Sequence, residues 1–218
     1  MGVRYFTENG LTMSNGNTKI GNDTLIINMT SATDCPSRAL GLCQIPDKCY
    51  AIRPEKFRPG CLPYRRRQAY FFDSHTPQKI ASAIISILKI GKNSDRIRYI
   101  RFSESGDFKN QDDIDKLDKV AQLVEKVHCP RGKNSLIWYG YSARSDLDFS
   151  RVKKLLVKGS NHDQGNNGIV IVRSLTKAEK AEKSIVIDGK RHFVCPGKCY
   201  GCKICKTKGK APLVIAQH

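Results

Sequence analysis

Residues 96–141 read RIRYIRFSESGDFKNQDDIDKLDKVAQLVEKVHCPRGKNSLIWYGY, and this stretch decides the fold class. Its first seven residues, 96–102, alternate between polar and apolar side chains, and residues 135–141 are apolar and aromatic, so each predicts a strand. Between them, residues 111–127 repeat apolar side chains at helical spacing, which predicts an amphipathic helix. This order is typical of parallel strands joined by a right-handed helical crossover.

The rest of the chain continues the alternation. Apolar runs and periodicities predict strands over 24–29, 168–173 and 184–187, and helices over 77–90, 147–157 and 175–183. A complete eight-unit barrel needs about 250 residues, more than this chain has. The sequence therefore predicts an α/β protein whose parallel strands form a partial (β/α) barrel or an open sheet.

Three segments differ in composition. We expect a flexible N-terminal segment over 1–23, an α/β catalytic domain over 24–190, and a Cys-rich C-terminal segment over 191–218 that binds a metal or cluster. The catalytic domain includes a cysteine loop at 30–64, whose five prolines disfavour regular structure.

The charge indicates a polyanionic partner. The chain carries 38 Lys and Arg against 20 Asp and Glu, a net charge of +18. Such an excess favours contact with nucleic acid, either DNA or RNA. No apolar run is long enough to cross a membrane, and the first residues match neither a secretory leader nor a transit peptide. We therefore expect a cytoplasmic protein with no membrane partner; its oligomeric state cannot be predicted.

Eight of the nine cysteines fall into two groups of four. The first group is Cys35, Cys43, Cys49 and Cys61, and the second is Cys195, Cys199, Cys202 and Cys205. Cys129 stands alone and is expected to be a buried small hydrophobic residue. Closely spaced thiolates suit a soft metal ion or an iron–sulfur cluster. The odd total and the lack of a leader disfavour disulfides.

Three polar segments follow predicted strands: the cysteine loop, SESGDF at 103–108 and SARSD at 142–146. They are expected to meet at the carboxyl edge of the sheet, where reactive residues of such folds lie. Cys35, Cys43 and Cys49 resemble the cysteine loop of radical S-adenosylmethionine enzymes, in which three thiolates leave one iron of a [4Fe–4S] cluster open. Cys61 as a fourth ligand would close that site.

The resemblance implies that S-adenosylmethionine binds the open iron, and that a small-Gly-acid segment holds its amino group. Here that segment is Ser105, Gly106 and Asp107. The candidate catalytic residues are Asp107, Ser105 and Glu104, and the candidate cofactor-binding residues also include Tyr50 and Tyr141. The spacing C-x7-C-x5-C differs from the usual C-x3-C-x2-C, so the resemblance lies in the architecture.

The motifs DCPSRALGLCQIPDKCYA, RFSESGDF, YGYSAR and the terminal cysteines also resemble the phage-encoded "gene product eighty-eight" family. The likeness covers most of residues 30–218. It implies a phage or prophage origin, with the host cytoplasm as location, and marks Cys35, Cys43, Cys49, Tyr50, Ser105, Gly106, Asp107, Phe108, Tyr139, Tyr141 and the final cysteines.

The C-terminal cysteines allow two interpretations. Four thiolates could hold zinc or a second cluster. Alternatively, Cys199, Cys202, Cys205 and His218 resemble the zinc site of guanine transglycosylases, some of whose phage relatives insert 7-deazaguanine into DNA. Asp107 would then be a base or nucleophile, with Asp146 or Asp188 as its partner.

Three functions are compatible with these features. The leading hypothesis is a radical-SAM-like iron–sulfur enzyme acting on a nucleic acid or nucleotide. The second is a zinc-containing base-exchange enzyme on DNA. The third is a non-enzymatic DNA-binding protein held together by two metal sites.

Overall fold

The computed structural model describes residues 5–16, 19–90, 96–128, 135–199, 202–209 and 211–217. Within these ranges ten strands form one sheet. In chain order they are β1 (Tyr5–Glu8), β2 (Leu11–Asn15), β3 (Thr24–Ile27), β4 (Tyr99–Phe102), β5 (Ile137–Ser142), β6 (Leu155–Ser160), β7 (Ile169–Arg173), β8 (Ser184–Ile187), β9 (Lys190–Val194) and β10 (Leu213–Ala216).

The centre of the sheet is parallel and its edges are antiparallel. The spatial order is β1-β2-β3-β4-β5-β6-β7-β10-β9-β8. Every pair from β3 through β7 and on to β10 and β9 is parallel. The hairpin of β1 and β2, the pair β2–β3 and the pair β8–β9 are antiparallel. The predicted mixed α/β class with a mostly parallel sheet is confirmed.

Six α-helices are described, and two 3-10 turns accompany them at Pro46–Lys48 and Ile204–Lys206. The helices are α1 (Pro36–Ala39), α2 (Ile52–Phe57), α3 (Cys61–Ser74), α4 (Pro77–Lys89), α5 (Gln111–His128) and α6 (Lys177–Ala181). Pro77 stands in the first turn of α4, where its missing N–H costs nothing, and the Thr76 side chain accepts from the Lys79 N–H. No described helix combines the length and apolar content needed to cross a membrane.

Side chains alternate along each strand, so one face of the sheet packs in the core and the other borders a cavity. Leu25, Ile27, Ile100 and Phe102 are fully buried in the main core, together with the apolar faces of α4 and α5. Each such side chain contributes about 1.5–3 kcal/mol of burial free energy. The intervening residues, such as Arg101, point to the other face and border a cavity. The core on one face therefore fixes which side chains the other face presents.

The helix predicted over 147–157 is wrong. Residues 155–160 form β6, and Leu155 and Val157 are buried in the core. Directly before β6, a side chain accepts hydrogen bonds from backbone N–H groups that would bond to carbonyls of the same helix if this segment were helical. The Asp118 carboxylate accepts from the N–H groups of Lys153 and Lys154, at 3.0 and 2.8 Å. These partners come from α5, far away in the sequence.

Two further expectations need correction. Residues 5–15, expected to be flexible, form β1 and β2, and Leu11 and Met13 of β2 are fully buried. The segment 30–64 was expected to lack regular structure, yet it contains α1, α2 and the start of α3. Four of its prolines occupy first turns of helices, as Pro36 does in α1, where proline is compatible with a helix, and Pro59 lies in the turn between α2 and α3. The Cys-rich C-terminal segment is present and also supplies β10 to the sheet.

Candidate functional site

A cavity of about 1200 Å³ lies on the face of the sheet opposite α4 and α5. Strand residues Ile26, Arg101 and Tyr141 form part of its wall. Thiols from both cysteine groups also line it: Cys35, Cys43, Cys49, Cys61, Cys195 and Cys199. The cavity thus brings two groups that are distant in the sequence to one space.

The loop after β3 folds back on itself and brings three thiols near each other. The Cys43 N–H donates to the Ser37 carbonyl at 3.0 Å. Burial raises the pKa of the Cys35 thiol to about 11, and the Asp107 carboxylate and Cys43 thiol add to the rise. Burial also raises the pKa of Cys43, with a further contribution from Cys49. These three thiols are close enough to influence one another's charge.

Cys61 has different surroundings. It is the first residue of α3. Burial raises the pKa of its thiol, which the positive charge of Arg65 opposes and the negative charge of Glu55 increases. Burial is therefore the strongest influence on the pKa of Cys61, and the charged side chains of Arg65, Glu55, Arg58 and Glu104 follow it.

Asp107 joins all three predicted loops at the carboxyl edge of the sheet. Its Oδ2 accepts from the Ser37 hydroxyl at 2.6 Å and the Ala143 N–H at 2.8 Å. Its Oδ1 accepts from the Ser142 hydroxyl at 2.7 Å and the Phe108 N–H at 2.9 Å. Burial still raises the pKa of this carboxyl, although these four donors oppose the rise. The role that this geometry supports is to position the cysteine loop against the ends of β4 and β5.

Gly106 allows the turn before Asp107 to approach the strand-end loop closely. Its φ is +70°, and a Cβ added there would lie 2.0 Å from Thr30 Oγ1 and 2.4 Å from the Thr30 carbonyl oxygen. Thr30 Oγ1 in turn accepts from the Asp107 N–H at 3.0 Å. Only glycine fits this position without displacing the turn.

Glu55 is a second buried carboxylate of the site, which the sequence did not indicate. It forms a buried ion pair with Arg65 at 2.7 Å. It also accepts from the backbone N–H groups of Ala32 and Thr33 and from the Ser105 hydroxyl. Burial opposes ionisation, but these donors outweigh it and lower the pKa of Glu55. Glu55 therefore holds the start of the cysteine loop and the SESGDF turn together.

Of the predicted catalytic and cofactor-binding residues, Ser105 and Asp107 have their polar groups engaged within the protein. The Ser105 N–H donates to the Asn28 side chain at 2.8 Å, and its hydroxyl donates to Glu55 at 3.2 Å. By contrast, the Glu104 carboxylate lies at the cavity and forms no hydrogen bond or ion pair with a described residue.

Ser103 is a further residue that the sequence did not single out. It is 6% exposed, lines the cavity, and its hydroxyl has no partner among the described residues. Its φ of +51° is unusual for a residue other than glycine. Strained backbone of this kind clusters at functional sites. The hydroxyl is therefore available to a bound molecule.

Aromatic and basic side chains form the middle of the cavity wall. The Arg101 guanidinium lies over the Tyr141 ring, 5.4 Å from its centroid, and donates to the Tyr50 hydroxyl at 3.3 Å. The Tyr50 hydroxyl donates to the Glu104 carbonyl. Tyr50 and Tyr141, both predicted to bind a cofactor, are thus linked through one arginine. Tyr139 lies on the same strand and is buried.

The C-terminal thiols lie beside two buried lysines. Lys158 is 1% exposed, and its ammonium donates to the carbonyls of Asn167 and Ala211 at 2.6 and 3.1 Å. The ammonium of Lys206, also buried, lies 4.0 Å from the centroid of the Tyr99 ring. Burial lowers the pKa of both lysines. Asp23, 4.0 Å from the Lys206 ammonium, opposes this most at Lys206, and the negative charge that nearby thiols would carry opposes it at both lysines.

The four C-terminal thiols influence one another. Burial raises the pKa of Cys195, and Cys199 and Cys202 add to the rise. Burial also raises the pKa of Cys205; a hydrogen bond with the Tyr141 hydroxyl opposes the rise, whereas Cys195 and Cys199 increase it. Tyr141 therefore connects the second cysteine group to the Arg101 side of the cavity.

In the part of the chain that the structure describes, no three His, Cys, Asp or Glu side chains are arranged as a ready-made metal site. His218, a predicted ligand, and Cys129 lie outside the described residues. Of the partners predicted for Asp107 in base exchange, Asp146 forms an ion pair with Arg144 at 2.7 Å. Asp188 lies in the turn between β8 and β9, with a φ of +48°.

Comparisons with protein-family models, with curated proteins and with solved structures find no match to this chain. The resemblance to the "gene product eighty-eight" family therefore stays a prediction based on its motifs.

Proposed function

We propose that this protein is a radical-SAM-like iron–sulfur enzyme that acts on a nucleic acid or nucleotide. The observation that carries the proposal is the position of Cys35, Cys43 and Cys49. These thiols line one cavity at the carboxyl edge of a parallel sheet, next to a turn fixed by Asp107. Three thiolates without the fourth would leave one iron of a cluster free for a small molecule.

The donor chemistry of the loop fits such a cluster. Cys43 lies close enough to both Cys35 and Cys49 for the charges of these thiols to influence it or be influenced by it, and three neighbouring thiolates are the protein ligands that an open [4Fe–4S] cluster needs. Beyond its burial, the charges nearest in effect to Cys61 are those of Arg65 and Glu55, and these separate surroundings support a three-cysteine site over a closed four-cysteine site. Ligation requires loss of the thiol protons, so binding would be weaker in acid.

We also propose that the sheet curls into a partial barrel around the cavity. Thr12 and Ser14 of β2 and Ile215 of β10 all border the same space. These strands are six steps apart in the sheet, so a flat sheet would separate them by roughly 29 Å. Their common cavity supports strong curvature.

The free groups of the cavity suit S-adenosylmethionine as the cofactor. The Glu104 carboxylate is available for an ammonium group, the Ser103 hydroxyl for a polar atom, and Tyr50 for stacking on a ring. A cavity of about 1200 Å³ has room for a cofactor together with a nucleotide. When bound, an open cluster would supply one electron to cleave the cofactor.

The two alternatives are less well supported. Base exchange needs a free carboxylate as base or nucleophile, whereas the Asp107 carboxylate accepts four hydrogen bonds. A pure binding protein needs no large cavity with unpartnered polar groups, such as the Ser103 hydroxyl.

We propose that the C-terminal cysteines form a separate zinc or auxiliary cluster site. Cys195, Cys199, Cys202 and Cys205 influence one another, and the ammonium groups of Lys158 and Lys206 are buried nearby. Four thiolates around a divalent ion carry a net negative charge. Buried cations would balance that charge, which is costly to leave unpaired away from water.

The test is to measure iron, zinc and acid-labile sulfide on protein purified without oxygen, with its ultraviolet–visible and electron paramagnetic resonance spectra. About four irons per cluster are expected, with a broad absorption band near about 400 nm. Single Cys→Ser variants at 35, 43 and 49 should each lose the first cluster, and Cys61→Ser should retain it. Reduced protein should then cleave S-adenosylmethionine. Colourless protein that holds only zinc would refute the cluster.

A further inference from the structure

We propose that the mouth of the cavity binds a single-stranded polynucleotide and admits one unpaired base. This assignment names the substrate of the site and rests on the proposed function for its chemistry. The residues that carry it are four cations, Arg38, Lys48, Arg58 and Arg67, and two exposed aromatic residues, Tyr5 and Phe57. We call this set the mouth residues; all six line the cavity.

The four cations are available to phosphate groups. All are exposed, and none forms an ion pair with a described carboxylate. The arginine run 65–67 shows the contrast, because its members have different partners. Arg65 pairs with the buried Glu55, and Arg66 pairs with Asp34 at 2.8 Å. Arg67 alone of the three remains free, and it borders the cavity.

The aromatic residues distinguish a single strand from a duplex. Phe57 is 75% exposed and Tyr5 is 61% exposed, although large aromatic side chains are usually buried. An exposed ring beside cations can stack on an unpaired base while the cations contact the backbone. In a duplex the faces of the bases are covered by their neighbours. This mouth therefore favours bases that are already unpaired or have been flipped out.

The depth of the site leads to the same conclusion. The groups that would do chemistry, such as Cys43 and the Ser103 hydroxyl, lie inside the cavity wall rather than on a groove-reading helix. An atom within a stacked duplex cannot reach them, so the base must leave the stack. Of the mouth residues on helices, Arg38 and Phe57 belong to the short helices α1 and α2, of four and six residues, and Arg67 belongs to α3, of 14 residues.

The test measures binding of fluorescein-labelled oligonucleotides of mixed sequence by fluorescence anisotropy, as single-stranded DNA, single-stranded RNA and duplex DNA. We expect single strands to bind at least about tenfold more tightly than the duplex at about 0.1 M salt. Four phosphate contacts predict a slope of about −3 for log K against log salt concentration. The DNA and RNA arms identify which polymer supplies the strand.

Two triple variants with the same change in charge separate the mouth from the general positive charge. The mouth variant combines Arg38→Gln, Arg58→Gln and Arg67→Gln. The control combines Lys79→Gln, Lys119→Gln and Lys126→Gln on α4 and α5, which cover the other face of the sheet. The mouth variant should lower the magnitude of the salt slope by about 2 and weaken binding more than about tenfold, and the control should change neither by much. Phe57→Ala should remove most of the preference for single strands.

Equal losses of oligonucleotide affinity in the two triple variants would overturn the assignment, and so would a duplex that binds as tightly as a single strand. Metal content is measured on the same preparations. Protein without iron that still binds single strands through the mouth refutes the cluster and keeps this assignment. Protein with a cluster and no such binding refutes this assignment alone. Since all the substituted side chains are exposed, unchanged circular dichroism and melting temperature confirm that the variants are folded.

Discussion

Asp107→Asn should destabilise the protein, because an amide cannot replace this carboxylate in either orientation. Each oxygen of Asp107 accepts one backbone N–H, from Phe108 at Oδ1 and from Ala143 at Oδ2. Whichever way the Asn side chain turns, its NH₂ group faces one of these two donors. The serine hydroxyls at Ser37 and Ser142 can rotate to accept, but a backbone N–H cannot.

The magnitude follows from the contacts that are lost. A buried N–H without an acceptor costs about 1–3 kcal/mol, and the amide N–H that points at it is also left without an acceptor. We therefore expect a loss of about 2–4 kcal/mol in the free energy of unfolding. A domain with about 5–15 kcal/mol of stability would still fold. Because Ser37 directly follows the Cys35–Pro36 step, the cysteine loop should also move, and the cluster should be retained less well.

The pH dependence has a definite sign. Burial raises the pKa of Asp107 above its ordinary value of 3.8. Its stabilising contribution is therefore fully present below 3.8 and falls as the pH rises through the pKa of the folded state. A protonated carboxyl keeps both backbone bonds, since a hydroxyl oxygen can still accept. The loss caused by Asp107→Asn should thus be larger in mild acid than at neutral pH.

The assay is urea denaturation followed by circular dichroism, at neutral pH and in mild acid. The matched control is Asp34→Asn, an exposed carboxylate paired with Arg66, which should cost less than about 1 kcal/mol. If Asp107→Asn costs no more than this control, the four hydrogen bonds do not fix the turn. If the loss grows toward neutral pH, the pKa of Asp107 is lowered rather than raised in the folded protein.

Three further predictions concern neighbouring features. Gly106→Ala should lower the free energy of unfolding by about 2–4 kcal/mol in urea denaturation, because it combines a left-handed backbone with a clash against Thr30. The control Gly41→Ala has a similar φ of +69° and open space around it, so it should cost only about 1 kcal/mol. Similar losses for the two variants would refute the clash. Glu55→Gln should cost about 3–5 kcal/mol at neutral pH by leaving Arg65 unpaired. Since the pKa of Glu55 is lowered in the folded protein, its stabilising contribution is present above pH 4.5 and is lost as the pH falls toward the pKa of the folded state. Over that pH range the wild-type protein should lose more stability than Glu55→Gln. Parallel plots of unfolding free energy against pH for the two proteins would contradict this. Cys202→Ser should remove the C-terminal metal, measured as zinc and iron per chain, and leave the first cluster intact; loss of both would show that the two groups share one centre.

Local patterns predicted the central elements of the fold. The alternation in residues 96–102 and the helical periodicity in 111–127 correspond to β4 and α5, because each pattern reflects burial of one face of one element. The same logic failed over 147–157. In that segment the spacing of apolar residues resembles that of a helix, but the Asp118 carboxylate of α5 accepts the hydrogen bonds of the backbone N–H groups just before β6.

Local patterns in the chain were enough to predict the α/β class, the two cysteine groups and the meeting of three loops at one edge of the sheet, because parallel strands carry their following loops to the same edge. Which polar groups at that edge are free depends on tertiary contacts. The polar groups of Ser105 and Asp107 are occupied by hydrogen bonds to Asn28, Glu55, Ser37 and Ser142. The hydroxyl of Ser103 has no hydrogen-bond partner among the residues that the structure describes. Hydrogen bonding between residues 35 to 77 positions apart has no local pattern in the chain, so no periodicity could reveal it.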